Sequence, residues 1–72
     1  MRKYIVAYRM YQFDTVKYIL VEAKSKADAY SKAVFEAIPE LTNEQPYSAW
    51  VDRCITRAGK IIIFNTCEGL AY

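Results

Sequence analysis

The chain has 72 residues, 54% of them hydrophobic, with two glycines, two prolines, no histidine and a net charge of +2. That length allows one domain, the composition excludes a disordered segment, and no apolar run approaches the ~20 residues of a membrane-spanning helix. Lack of histidine removes the usual general base near neutral pH and any Ser-His-Asp or Cys-His site within one chain, and interspersed charge falls short of the basic footprint of a nucleic-acid binder.

The first predicted strand runs over about residues 3–11. Tyr4, Val6, Tyr8 and Met10 make one face and Ile5, Ala7 and Arg9 the other. Gln12-Phe13-Asp14 is the turn into a second strand over about 15–23, and the two are expected to pair as an antiparallel hairpin. This second strand is apolar on both faces. Val16, Tyr18 and Leu20 lie on one side, Ile19 and Val21 on the other.

A helix over about 26–38 follows. Ser25 is the N-cap, and Asp28, three residues on, suits a capping box although its side chain is shorter than the usual Glu. Its charge complements the positive end of the helix dipole. Ala27, Tyr30, Val34 and Ala37 recur at helical spacing, widened by Ala33 and Ile38, and Lys32 and Glu36 form an i,i+4 pair. Pro39 is expected to stop the helix. The small Ala23, Ala27 and Ala33 suit close packing of helix on sheet, which assigns Ile19, Val21 and Ala23 to the helix side and leaves Val16, Tyr18 and Leu20 open.

Residues 39–48 form a connection in which Thr42 and Gln45 have capping-box spacing, so a helical turn can start there. The third strand covers about 49–57, with Trp50 and Cys54 on one face and Val51 and Ile55 on the other. Arg57-Ala58-Gly59-Lys60 is a turn whose glycine can take positive φ. The fourth strand covers about 60–65, and Thr66 to Tyr72 is a tail that Leu70 and Tyr72 can pin down. The expected class is α+β, in the order β-β-α-β-β. It has a four-stranded, mainly antiparallel sheet and one helix on one face. Strand order 2-1-3-4 makes every neighbour antiparallel; order 1-2-3-4 needs a parallel centre and a right-handed crossover.

A domain this small buries only ~60% of its unfolded surface and usually gains stability from disulfides, a metal or oligomerisation. Cys54 and Cys67, without histidine, supply half a zinc site at most. Met1-Arg2-Lys3 runs straight into a strand without a secretory leader, so free thiols in the cytoplasm are expected, with no metal and no cofactor. Oligomerisation remains. One helix covers one face of a sheet, and the face left over is expected to carry Tyr8, Val16, Tyr18, Leu20, Trp50 and Phe64. Exposed apolar patches of this kind mark interaction sites, and seven tyrosines suit a surface that is apolar yet wetted. The expected function is therefore non-enzymatic: a homodimer or a protein partner on the open face. The alternative is single-stranded nucleic acid, with bases stacked on those aromatics and phosphates held by Arg9, Lys17, Arg53, Arg57 and Lys60. Against it, no Arg/Lys-Gly-aromatic run exists, and Glu22 and Asp52 interrupt the basic set.

Three stretches carry a resemblance: Val21-Glu22-Ala23-Lys24-Ser25-Lys26-Ala27-Asp28-Ala29-Tyr30, Pro46-Tyr47-Ser48-Ala49-Trp50, and Phe64-Asn65-Thr66-Cys67-Glu68-Gly69. Together they resemble small uncharacterised proteins carried by phages and mobile elements of gut bacteria. The resemblance covers most of the chain. It implies a cytoplasmic accessory protein that engages a host protein, and it implies no activity, fold motif or functional residue.

Overall fold

The computed structural model describes residues 1–64. Asn65, the tail and Cys67 lie outside them, so the expectations placed there have no counterpart. Strand β1 spans Arg2–Arg9 and β2 spans Lys17–Ala23. A helical stretch follows in three joined segments: α1 (Lys26–Lys32), a π-helical turn (Ala33–Ala37) and α2 (Ile38–Thr42). Strands β3 (Ser48–Ile55) and β4 (Ile61–Ile63) complete the β-β-α-β-β order. The four strands form one sheet in the order β2-β1-β3-β4, antiparallel throughout. Strand edges differ from the expected spans by a few residues: β1 stops at Arg9, β2 starts at Lys17, and β3 starts at Ser48 and ends at Ile55.

Register fixes the two faces, because residues directly opposite each other point the same way. On the helix side, Ile19, Val6 and Val51 form one row and Val21, Tyr4, Cys54 and Ile62 the next. Tyr4, Val6, Tyr8, Met10, Val21, Ala23, Val51 and Cys54 are buried there against Ala29, Ala33 and Ile38. Tyr8 therefore sits in the core. Its expected place on the open face is corrected, because it shares the parity of Tyr4 and Val6. Cys54 is a free, buried thiol.

Two one-residue insertions shift the sequence pattern. The first is a bulge: Ile5 opposes Arg53 while Val6 opposes Val51, so Asp52 is the extra residue. It reverses alternation within β3. Val51 and Cys54 share the core face, and Trp50, Arg53 and Ile55 share the other. The expected pairing of Trp50 with Cys54 is therefore wrong. The half-buried Asp52 carboxylate accepts from Arg53 Nε at 2.8 Å.

The second insertion is the π-turn, in which the Ile38 N–H bonds the Ala33 carbonyl five residues back. It accommodates Pro39, which lacks an N–H and whose ring would meet the Phe35 carbonyl in a regular α-helix. Pro39 instead occupies the first turn of α2, and the helix runs on to Thr42. Asn43 closes it in the left-handed region (φ 63°), its N–H donating to the Pro39 carbonyl at 2.7 Å. Thr42 is thus a C-terminal residue and not an N-cap: its hydroxyl lies 2.8 Å from the Ile38 carbonyl and accepts from the Glu44 N–H. The buried stripe is also displaced. Ala29, Ala33 and Ile38 face the sheet and Val34 is also buried, while Ala27 and Tyr30 are exposed. Lys32 turns away from Glu36. It donates to the Glu22 carbonyl at 3.0 Å and pairs with Asp28 at 3.6 Å.

The helix start follows the sequence. Ser25 has extended backbone and its Oγ accepts from the Asp28 N–H at 3.1 Å. The Asp28 carboxylate returns the bond one residue further out, to the Lys24 N–H at 3.1 Å. That bond, together with the charges of Lys32 and Lys24, holds the Asp28 carboxyl below its ordinary 3.8. A carboxyl lowered by folding contributes stability above that value and loses it as pH falls through it. Asp28→Asn should therefore lower the urea midpoint at neutral pH, and its deficit from wild type should shrink progressively below pH 3.8.

Two further substitutions test the packing. Ile38 is fully buried, so Ile38→Ala should cost about 3 kcal/mol in chemical denaturation, transfer and cavity losses combined. Gly59 turns the chain between β3 and β4 at φ 84°, and its N–H donates to the Thr56 carbonyl. Gly59→Ala should cost about 1 kcal/mol through backbone strain alone, since an added methyl meets nothing within 4 Å.

Candidate functional site

The side of the sheet away from the helix is an ordered apolar surface. Its first row is Tyr18, Ala7 and Trp50; the next is Leu20, Ile5, Arg53 and Ile63; the third is Glu22, Lys3, Ile55 and Ile61. Ala7 is fully buried between its two aromatic neighbours in the register. The outer strands carry the exposed apolar bulk: Tyr18 at 61% exposure, Leu20 at 53%, Ile61 at 59% and Ile63 at 54%. These four side chains present on the order of 400 Å² of apolar surface, divided between the two outer strands with Lys3, Ile5, Arg53 and Ile55 between them. Arg53, ion-paired to Asp52, stands within this surface.

Of the residues expected on this face, the structure brings Tyr18, Leu20 and Trp50 together. Val16 is half-buried and precedes β2. Phe64 lies on the helix side, a correction that follows from its parity with Ile62. Its ring stacks on Tyr4 at 6.3 Å between centroids, and the Lys26 ammonium sits 4.8 Å from its centre. The sequence reading missed Ile5, Ile55, Ile61 and Ile63. The alternation Ile61-Ile62-Ile63 signalled that two of three would share a side.

The five basic residues do not form one patch. Arg9 and Lys17 lie at one end of the sheet, Arg57 and Lys60 flank the turn at the opposite end, and Arg53 lies between. Lys17 pairs with Asp14 at 3.6 Å and, opposite Tyr8, has the parity of the helix side.

The free edge of β2 borders the open face. The Arg9 carbonyl accepts from the Tyr47 N–H at 2.7 Å, so Arg9 directs its backbone groups toward β3. By alternation, the even residues of β1 point to β2, and the backbone groups of Tyr18, Leu20 and Glu22 point outward. Lys32 already occupies the Glu22 carbonyl, a form of edge protection.

Hollows among the described residues adjoin the sheet at both ends. A cleft of about 480 Å³ at the Arg9 end is lined by Arg9, Gln12, Phe13, Tyr47, Ser48 and Trp50, among others. A smaller one of about 310 Å³ at the other end has Arg2, Lys3, Glu22 and Arg57 in its wall. Among the described residues, no group of three or more His, Cys, Asp or Glu stands close enough to hold a metal ion. No helix among them is long and apolar enough to cross a membrane.

No protein-family model, curated protein or solved structure gives a significant match to this chain.

Proposed function

We propose that this protein is a non-enzymatic interaction module whose open sheet face is buried against a second copy of the same chain. One observation carries the reading. Tyr18, Leu20, Ile61 and Ile63, on the two outer strands, project from the same side of the sheet, opposite its single helical layer.

Energetics favour association. Covering ~400 Å² on each of two subunits at ~25 cal/mol per Å² gives on the order of 20 kcal/mol gross. Lost translational and rotational freedom takes back ~4–15 kcal/mol. The remainder, ~5–16 kcal/mol before side-chain ordering is subtracted, spans dimers from submillimolar affinity upward. A buried free thiol at Cys54 fits a reducing compartment, and the cytoplasm is the location that goes with this reading. The resemblance to proteins of phages and mobile elements makes a host protein the other candidate for the same face. Nucleic acid draws less support, because the bases that would hold phosphates are divided between the two ends of the sheet.

Light scattering over a range of concentrations tests the proposal. The wild-type chain should approach twice its monomer mass as concentration rises. Leu20→Asp places a charge on the exposed face, away from the core, and should give a folded monomer with an unchanged far-ultraviolet dichroism spectrum. A wild-type chain that stays monomeric throughout would overturn self-association and leave the face to a different protein.

A further inference from the structure

The cleft at the Arg9 end contains a donor that the fold leaves without an acceptor. Arg9 is half-buried at the end of β1. Its Nη1 donates to the Gln12 carbonyl at 3.2 Å, and its Nε is buried with no acceptor among the described residues. The ion pairs among those residues join Lys17 to Asp14, Lys32 to Asp28 and Arg53 to Asp52, and none includes Arg9. The Nη1 contact is solvent-exposed, so the guanidinium presents a wetted edge at which an anion can approach, while its Nε N–H lacks an acceptor. Guanidinium also matches carboxylate and phosphate in a planar, two-pronged geometry that ammonium cannot reproduce.

The walls of the same cleft are aromatic. Phe13 stands on the β1–β2 loop at 93% exposure, more than any other large apolar side chain described here. Tyr47, also exposed, is fixed beside Arg9 by its backbone bond to the Arg9 carbonyl. Trp50, half-buried, comes from β3. Exposed rings from two loops, lining the same cleft as one guanidinium, suit a flat ligand that stacks and carries negative charge. At about 480 Å³, the cleft has the size of a small-molecule site.

We propose that this cleft binds a planar aromatic ring bearing an anionic group, with Arg9 as the counter-charge and Phe13 and Tyr47 as stacking surfaces. Two sources share that chemistry, a nucleotide and an aromatic carboxylate. The site stands on observations separate from those for self-association.

The test is titration of ¹⁵N-labelled protein, followed by NMR, with adenosine monophosphate and with 4-hydroxybenzoate. Adenosine and phenol serve as their uncharged counterparts. The expected result is saturable shifts of the Gln12, Phe13, Tyr47 and Ser48 amides and of the Trp50 indole N–H with one or both anions. Response to the phosphate alone would assign the ligand as a nucleotide, and response to the benzoate alone as an aromatic acid. Arg9→Gln should weaken binding at least about tenfold, the loss of one charge-assisted pair. Phe13→Ala alters a side chain outside the core and should weaken binding by several-fold, keeping the test decisive if Arg9→Gln fails to fold. The proposal is overturned if neither anion gives saturable shifts. It is overturned equally if the uncharged counterparts bind as tightly, or if Arg9→Gln, or Phe13→Ala in its place, leaves affinity unchanged.

Discussion

The seam between an alanine-faced helix and one side of a four-stranded sheet carries this structure. Ala29, Ala33 and the half-buried Ala37 keep the helix surface low, so its backbone can lie close to β1 and its neighbours. The space between is filled from the sheet by Tyr4, Val6, Tyr8 and Val51, and from the helix by Ile38. Large side chains on one layer and small ones on the other give interdigitation at interior density. β1 is the strand on which this seam depends. It is central in the sheet, and four of its residues, from Tyr4 to Tyr8, are fully or nearly fully buried. Among the described residues the helical layer covers one side only, so the exposure of Tyr18, Leu20, Ile61 and Ile63 on the other follows from the same seam that stabilises the domain.

Two local insertions determine what each side presents. The extra residue at Asp52 reverses the alternation of β3, placing Val51 in the core and directing Trp50 and Arg53 outward. Without it, the residue beside Ala7 and Tyr18 would belong to the opposite face. The π-turn at Ala33–Ala37 does the comparable job for the helix. It adds a residue to one turn, admits Pro39 and extends the rod to Asn43. The chain then returns through Tyr47, whose N–H bonds the Arg9 carbonyl. That bond closes the end of the sheet and builds one wall of the aromatic cleft. Bulges and π-turns are over-represented at functional sites for this reason: each re-aims side chains without disturbing the elements on either side.

Trp50 belongs to both candidate surfaces, in one row with Tyr18 and Ala7 on the open face and in the wall of the cleft that holds Arg9. Their chemistry differs. The open face is broad and mostly apolar, with its charges concentrated in Lys3, Glu22 and Arg53. Such a surface suits a large, flat, non-polar partner, for which area and shape govern recognition. The cleft sets exposed rings beside one guanidinium, a combination that the open face lacks.

Much of the fold was legible in the sequence because its signals are local. Ser25 followed by Asp28 marks the helix start, Gly59 marks a turn requiring positive φ, and the apolar runs mark four strands. Two strand orders stayed open, 2-1-3-4 and 1-2-3-4, and the pairing of β1 with β3 decides for the first. The alternation of β2 also placed Tyr18 and Leu20 on the open side. What resisted was any assignment that depends on counting residues across an insertion or on choosing between two apolar faces. Tyr8 and Phe64 lie on strands whose sides are both hydrophobic, so hydrophobicity gives no preference and packing against the helix makes the choice. Trp50 and Cys54 are separated by a bulge, which appears only when β3 is registered against β1. Pro39 reads as a helix stop in isolation, and the wider turn before it removes the clash. The sequence by itself determined the elements, their order and the existence of an uncovered apolar side, since these follow from periodicity, caps and the reach of one helix. Which residues occupy that side, and that Arg9 shares a cleft with Phe13 and Tyr47, was decided by the tertiary structure, because both depend on registers and loop closures between residues far apart in the chain.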